Sequence, residues 1–278
     1  MDKNASKRAE EYYDDVQILY NLFWPGKALH YGFWDEKTKK LSECVDNTDK
    51  FVSKLLELQK NDYVLDAGCG VGGSSFFIAK NFGVKVMGIT LSQKQIKQAR
   101  KNVIKQNLDN LVKFEIMDFN KTNFKNDTFT KILCIESACH AKNKLEFLKE
   151  AYRILKPGGR IVIDDGFLAK RELTGEEEEV YNKFLNGWKV PDLSHKDDFL
   201  RYLKEAGFKN IIFYDKTENV IPSSKRIALY GYLFYPISLI LSKLKLVSRN
   251  IHEHTVCMIN QQKTFNRFTI YGVFSAEK

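Results

Sequence analysis

Apolar residues along this chain follow two alternating patterns. Phe51, Val52, Leu55 and Leu56 recur at helical spacing, and YVLDA at 63–67 then reads as a buried strand. FFIA at 76–79 belongs to the next helix and VKVMGI at 84–89 to a second strand. Ile96, Ala99, Val103 and Ile104 form the apolar stripe of the helix that follows, and Ser92 with Gln95 has the spacing of a capping box at its start. Strands are expected at about 113–117 and 131–135, then a helix from Asn143 to Leu155 ended by LKPGG, then the strand RIVID at 160–164. Another helix runs from Ser194 to Ala206 with Gly207 as its stop, and NIIFY at 210–214 and FTIYGVFSA at 268–276 are the last two strands. Strands alternating with helices in this order imply βαβ units around a mostly parallel sheet, an α/β architecture, because parallel neighbours need a crossover.

Three stretches fall outside the alternation: 1–47, 165–193 and 216–267. Insertions of this length in a compact domain are usually functional or disordered, and with this alternation they would meet the sheet near its carboxyl edge, where open α/β sheets bind ligands. Within the last of them, IALYGYLFYPISLILS at 227–242 carries no charge and is flanked by Lys225, Arg226, Lys243 and Lys245. It is shorter than a membrane-spanning helix, and Pro236 is expected to break it. From Pro236 onward, Ile237, Ile240, Leu241, Leu244 and Val247 form an apolar stripe. Two readings of 227–247 stay open: a lid over an apolar pocket, or an interfacial helix in peripheral contact with anionic lipid.

Composition narrows the class. With 44% hydrophobic and 28% charged residues in 278, the chain has side chain enough for a core, which excludes disordered and collagen-like readings. The 44 Lys+Arg against 35 Asp+Glu give a net charge of +9 and favour an anionic surface or ligand. The 5 Cys are odd in number and contain no C-x-x-C, so neither a disulfide framework nor a zinc cluster is suggested. The opening MDKNASKRAEE lacks the apolar segment of a secretory signal, and a reduced, cytoplasmic setting is expected. His252 and His254 would share a strand face if extended, but no third ligand lies at characteristic spacing, so no metal site is expected. The four glutamates at 176–179 read as a solvated helix start.

VLDAGCGVGG at 64–73 is the most informative stretch. A strand runs into Gly68, Gly70, Gly72 and Gly73 and a helix follows at once, so a tight backbone turn and the free N–H groups of a helix start face a ligand together. Gly68, Gly70 and Gly73 satisfy the dinucleotide pattern G-x-G-x-x-G. Two features oppose a nicotinamide or flavin: Asp66 would repel a phosphate in the loop, and the second strand ends GITLS, with Thr90 where the ribose-binding acid is expected.

In sequence order, LDAGCGVGG, GITLSQKQI, MDF at 117–119 and LKPGG at 155–159 resemble the motifs of the S-adenosylmethionine-dependent methyltransferases. That resemblance implies a Rossmann-like, doubly wound, mostly parallel seven-stranded sheet with an antiparallel last strand and helical lid insertions. It also implies a single domain over 1–278: an N-terminal helical cap at 1–47, a core at 48–215, a lid at 216–267 and the last strand at 268–278. Within the family, GITLSQKQI, IESACHA at 135–141 and LHYGFW at 29–34 are similar to motifs of the sterol, tocopherol and cyclopropane-fatty-acid enzymes.

The resemblance implies roles for named residues. Gly68, Cys69, Gly70, Gly72 and Gly73 would wrap the methionine part of S-adenosylmethionine, with Asp66 beneath the loop. Thr90, Leu91 and Gln95 would meet ribose and adenine, and Asp118 with Phe119 the adenine. Ile135 and Glu136 would end the fourth strand beside the transferable methyl. Tyr31 and Trp34 would shield that region and Tyr13 or Tyr20 reach the cofactor carboxylate, since aromatic faces attract a sulfonium. Glu136 and His140 stand four apart and share a face if helical; they are the candidates for base or for acceptor positioning. The implied acceptor is a small apolar molecule, neither protein nor nucleic acid: an isoprenoid, sterol-like, lipid or polyketide-like carbon or oxygen. N- or O-methylation of a polar metabolite comes second. Nicotinamide-dependent oxidoreduction and a non-catalytic lipid-binding relative are the remaining alternatives.

Overall fold

Each apolar run read as a strand is one in this computed structural model, which describes Asp15 and residues 30–278. In chain order the elements are α1 (Leu41–Leu56), β1 (Tyr63–Ala67), α2 (Gly73–Phe82), β2 (Lys85–Thr90), α3 (Gln93–Lys105), β3 (Val112–Ile116) and β4 (Phe129–Ile135). There follow α4 (Lys144–Ile154), β5 (Leu155–Leu168), α5 (Gly175–Trp188), α6 (Lys196–Ala206), β6 (Lys209–Asp215), α7 (Thr217–Lys243), α8 (Arg249–Asn260) and β7 (Thr269–Glu277). The strands form one sheet in the order β3-β2-β1-β4-β5-β7-β6, with β7 antiparallel to both of its neighbours and the other pairs parallel. This is the doubly wound, seven-stranded arrangement expected from the motifs.

Strands buried on both faces need apolar residues on both, which is why consecutive apolar residues occur in β1 (Val64, Leu65), β2 (Val86, Met87) and β4 (Ile132–Ile135) rather than a strict alternation. On one face Leu65, Ile132 and Ile163 pack against Phe147 and Leu148 of α4 and Phe199 and Leu203 of α6. On the other, Val64, Val86 and Leu133 meet Val52 and Leu56 of α1, Ile78 of α2 and Ile96 of α3. Near the β6 edge, Phe167, Phe199, Phe213 and Phe274 stand in edge-on and tilted contacts with centroids 4.7–5.9 Å apart. Such pairs add about 0.5–1.5 kcal/mol each to the stabilisation from burial.

Several local expectations change. Ser92 caps α3 by accepting from the Gln95 N–H, but the reciprocal half of the box does not form, because the Gln95 side chain accepts from Thr90 Oγ1 at 2.9 Å instead. LKPGG is the first part of β5 rather than a turn before it. Glu177, within the acidic run, is buried and builds a capping box with Thr174, so that helix start is only partly solvated. His252 and His254 lie on α8, not on a strand, and two helical positions cannot share a face. Pro236 sits inside α7 without ending it. It is exposed, and a carbonyl that loses its donor on that side meets solvent rather than the core. Tyr13 and Tyr20, and residues 1–29 of the expected cap apart from Asp15, lie outside the described residues. The Asp15 carboxylate accepts from Ser248 Oγ and Asn250 Nδ2. Among the described residues, no helix is long and apolar enough to cross a membrane.

The insertions cover the carboxyl edge of the sheet as a stack of α5, α8 and α7. Glycines set its spacing: a Cβ on Gly187 would fall 2.1 Å from Cys257 Cβ and 2.7 Å from the Glu253 carbonyl oxygen, and one on Gly231 would fall 2.9 Å from Met258 Cβ. Gly187→Ala is expected to lower the unfolding free energy by about 1–3 kcal/mol in urea titration, because overpacking outweighs alanine's better helix propensity of about 1 kcal/mol. An unchanged midpoint would show that α5 and α8 part freely.

Candidate active site

The carboxyl ends of β1, β2, β4 and β5 open into one cavity of about 1520 Å³, closed above by residues of α5, α7 and α8. Its floor is the glycine turn. Gly68 and Cys69 donate their N–H groups to the Ile89 carbonyl at 2.9 Å, which ties the turn to the end of β2. Gly68 has φ +92, and a Cβ there would lie 2.3 Å from Ser137 Cβ. Ser137 Oγ in turn donates to the Ala67 carbonyl at 2.5 Å, so the ends of β1 and β4 close on one another. Gly70 has φ +52 and nothing within 4 Å of where its Cβ would stand, so the bare backbone faces open space.

Asp66, Gly68, Cys69, Gly70, Thr90, Leu91, Gln95, Asp118, Phe119, Ile135, Glu136, His140 and Tyr31 all line this cavity. Gly72 does not: it has φ +90, starts α2, and leaves room for the rings of Phe114 and Phe76. Trp34 is also turned away from the cavity, its indole donating to Ser223 Oγ of α7 at 2.8 Å. Asp118 accepts the Asn120 N–H and Nδ2 at 2.8 and 2.7 Å, both on Oδ1, while Phe119 packs edge-on against Phe147. Cys69 is buried, which pushes its thiol well above the ordinary range and suppresses its reactivity.

Acidic groups dominate the wall between the glycine turn and β5. Asp66 is buried and accepts from Ser75 Oγ at 2.5 Å; burial pushes its carboxyl up to about 6 against that bond. Glu136, just past β4, has φ +47, a left-handed conformation that costs a residue with a Cβ about 1–3 kcal/mol. Its Oε1 accepts the Tyr31 N–H at 2.6 Å and the Tyr271 hydroxyl at 2.7 Å. Burial pushes Glu136 up to about 7, while His30 and these two bonds pull the other way. The left-handed residue also ends any helical reading of 136–140. Glu136 and His140 do not share a helix face: His140 is carried on a short 3-10 turn, Ala138–His140. Burial, with Lys144 nearby, lowers His140 to about 4 and leaves it neutral at neutral pH.

Four further groups complete the wall. His30 is buried, with Nδ1 2.9 Å from the Tyr31 carbonyl and Nε2 3.8 Å from Asp49 Oδ1. Burial opposes its protonation, but the carboxylates of Asp49 and Glu136 outweigh this and raise it to about 9. Asp165 lines the cavity and accepts the N–H groups of Cys139 and Gly166. Asp164 lies behind it, wholly buried with neither oxygen hydrogen-bonded, and burial drives its carboxyl far above the usual range. Tyr271, on β7, comes from the far end of the chain. Of these, His30 stood inside LHYGFW and the paired acids of RIVIDDG ended a buried strand, which were the local signals available. Asp49 and Tyr271 carried none.

On this wall the carboxyls of Asp66, Glu136 and Asp165 face the cavity beside His30, and they suit the cationic end of a ligand. The open space beside Gly70, the backbone donors at the start of α2 and the aromatic face of Tyr31 suit a sulfonium-bearing amino acid. The residues present therefore fit S-adenosylmethionine.

Comparison with known proteins agrees. The family model described as mycolic acid cyclopropane synthetase matches residues 1–211. The chain is 29% identical over 228 residues to sterol 24-C-methyltransferase of Saccharomyces cerevisiae, covering 78% of this chain and 59% of the yeast protein's length. It is 30% identical over 233 residues to the chloroplastic tocopherol O-methyltransferase of Arabidopsis thaliana, covering 78% and 67%. The structure of geranyl diphosphate C-methyltransferase from Streptomyces coelicolor A3(2) superposes with a TM-score of 0.74 at 19% identity, over 99% of this chain and 98% of that one. The chain belongs to the mycolic acid cyclopropane synthetase family, and it is an S-adenosylmethionine-dependent methyltransferase of the small-molecule kind.

Proposed function

We propose that the enzyme methylates carbon or oxygen of a hydrophobic acceptor, an isoprenoid, sterol-like, lipid or polyketide-like molecule. The observation that carries this reading is Glu136: one buried carboxylate, fixed at Oε1 by two donors, in a cavity whose remaining walls include Phe184, Leu185, Val190, Ile227, Met258 and Phe265. The relatives' names, a sterol C-methyltransferase and a tocopherol O-methyltransferase, include both kinds of attacking atom.

S-adenosylmethionine supplies an electrophilic methyl on a sulfonium. In the proposed assignment the backbone of Gly68, Cys69 and Gly70 cradles its amino-acid end, with Asp66 offering the opposite charge. Thr90, Leu91 and Gln95 take the ribose side, Asp118 and Phe119 the adenine, and Tyr31 covers the sulfonium with its ring. Gly72 contributes by turning the backbone into α2. Glu136 removes the proton that the acceptor must lose, from a hydroxyl or from the carbon beside a developing cation, and Oε2 takes it while Oε1 stays tethered. A group poised near neutral pH suits this task. Neutral His140 positions the acceptor rather than serving as the base, and the apolar wall keeps water from competing. The same reading makes 1–278 one domain with a lid at 216–267. It places the enzyme in a reducing cytoplasmic setting, where its five cysteines remain free thiols, with peripheral membrane contact through 227–247.

The direct test is incubation with radiolabelled methyl donor and lipid extracts; label recovered in the organic phase is expected. Label found only in water-soluble products would overturn the apolar acceptor and favour a polar metabolite. Glu136→Gln is expected to lower kcat by about a hundredfold or more with S-adenosylhomocysteine affinity nearly unchanged; equal loss of both would remove the base assignment. Because the base must be ionised, wild-type kcat/KM is expected to rise as pH increases through about 7, a limb missing from the variant. Asp66→Asn is expected to weaken S-adenosylhomocysteine binding about tenfold or more in calorimetry. Wild-type affinity should itself fall as pH drops through about 6, where Asp66 loses its charge. A flat affinity across pH 5–8 would detach Asp66 from the ligand's ammonium.

A further inference from the structure

Helix α7 is apolar on two opposite faces. Its inner face, with Val220, Ile227, Ala228 and Gly231, is buried, and Ile227 reaches the cavity beside Met258 of α8. Its outer face carries Leu229, Tyr232, Leu233, Ile237, Ile240 and Leu244, each between 50% and 62% exposed. Their spacing keeps them in one stripe along a helix, running about 22 Å from Leu229 to Leu244. Leu246, just beyond the helix, is 68% exposed. A folded chain does not normally leave so many large apolar groups contiguous in water without a partner.

Charge identifies the partner. Lys225 and Arg226 precede the stripe, Lys243 and Lys245 follow it, and no Asp or Glu occurs between 225 and 245. An apolar strip with cations at both ends matches the interface of an anionic bilayer, where acyl chains lie beneath a negative headgroup layer. A second copy of the chain is a poorer match, since either orientation of two such helices sets cationic ends against each other. We infer that the outer face of α7 docks the enzyme on an anionic lipid bilayer, so that the acceptor is drawn from that bilayer into the cavity roofed by the inner face of the same helix. The inference rests on the proposed apolar acceptor and gives its source.

The test is co-flotation of the full chain with vesicles of phosphatidylcholine alone or mixed with phosphatidylglycerol. Binding to the anionic vesicles is expected, at least about tenfold stronger than to the neutral ones and weakened by salt. The variant Leu233→Glu/Ile240→Glu changes two exposed residues. It should lose vesicle binding about tenfold or more while keeping S-adenosylhomocysteine affinity within about twofold. Wild type that ignores anionic vesicles, or a variant that floats like wild type, overturns the inference. A concentration-dependent dimer abolished by the variant, without vesicle binding, overturns it in favour of a second copy. Labelled product in the organic phase from detergent-dispersed extract, with no flotation, rejects bilayer docking while leaving the apolar acceptor intact.

Discussion

One oxygen atom holds three distant parts of the chain together. Oε1 of Glu136 accepts from the Tyr31 backbone, ahead of α1, and from the hydroxyl of Tyr271, on β7. A buried carboxylate is tolerated only when its lone pairs meet donors, so both contacts must be in place for the group to ionise at all. The left-handed backbone at Glu136 is maintained by the same surroundings, with its N–H donating to the Asp164 carbonyl at 2.8 Å. Cavity wall, N-terminal segment and sheet edge are thus fixed by shared hydrogen bonds rather than by separate ones.

The buried acids have an energetic consequence for the whole fold. Asp66 and Glu136 hold protons more tightly folded than unfolded, so folding stability falls as pH rises from the ordinary carboxylate range through about 6 and about 7. His30 acts in the opposite sense to a simple buried histidine. Its raised value means its contribution is complete below about 6.5 and is lost as pH rises through about 9. A ligand that binds only the folded cavity adds to stability by mass action.

What the sequence made legible was local. The strands β1, β2 and β4 announced themselves as apolar runs bounded by glycine and polar turns, and the glycine turn carried its conformation in consecutive residues. Long-range pairings were not readable: Tyr271 lies 135 residues from the acid it holds, and no spacing rule connects them. His30 and Asp49 meet only because α1 folds back beneath the cavity. Pro236 misled because the penalty for a proline in a helix depends on which side of the helix loses its hydrogen bond. At Gly72 the sequence did not reveal the neighbouring rings of Phe114 and Phe76, which leave no room for a side chain.

β7 enters the sheet between β5 and β6, although both are made before it and α7 and α8 intervene. β5 and β6, parallel to each other, therefore stay apart, each with an unpaired edge, until β7 inserts between them. Such open edges are templates for intermolecular pairing, and closing them is slow because the paired strands are distant in sequence. Insertion of the strand that carries Tyr271 covers the facing edges of β5 and β6 and brings the hydroxyl to Glu136 together.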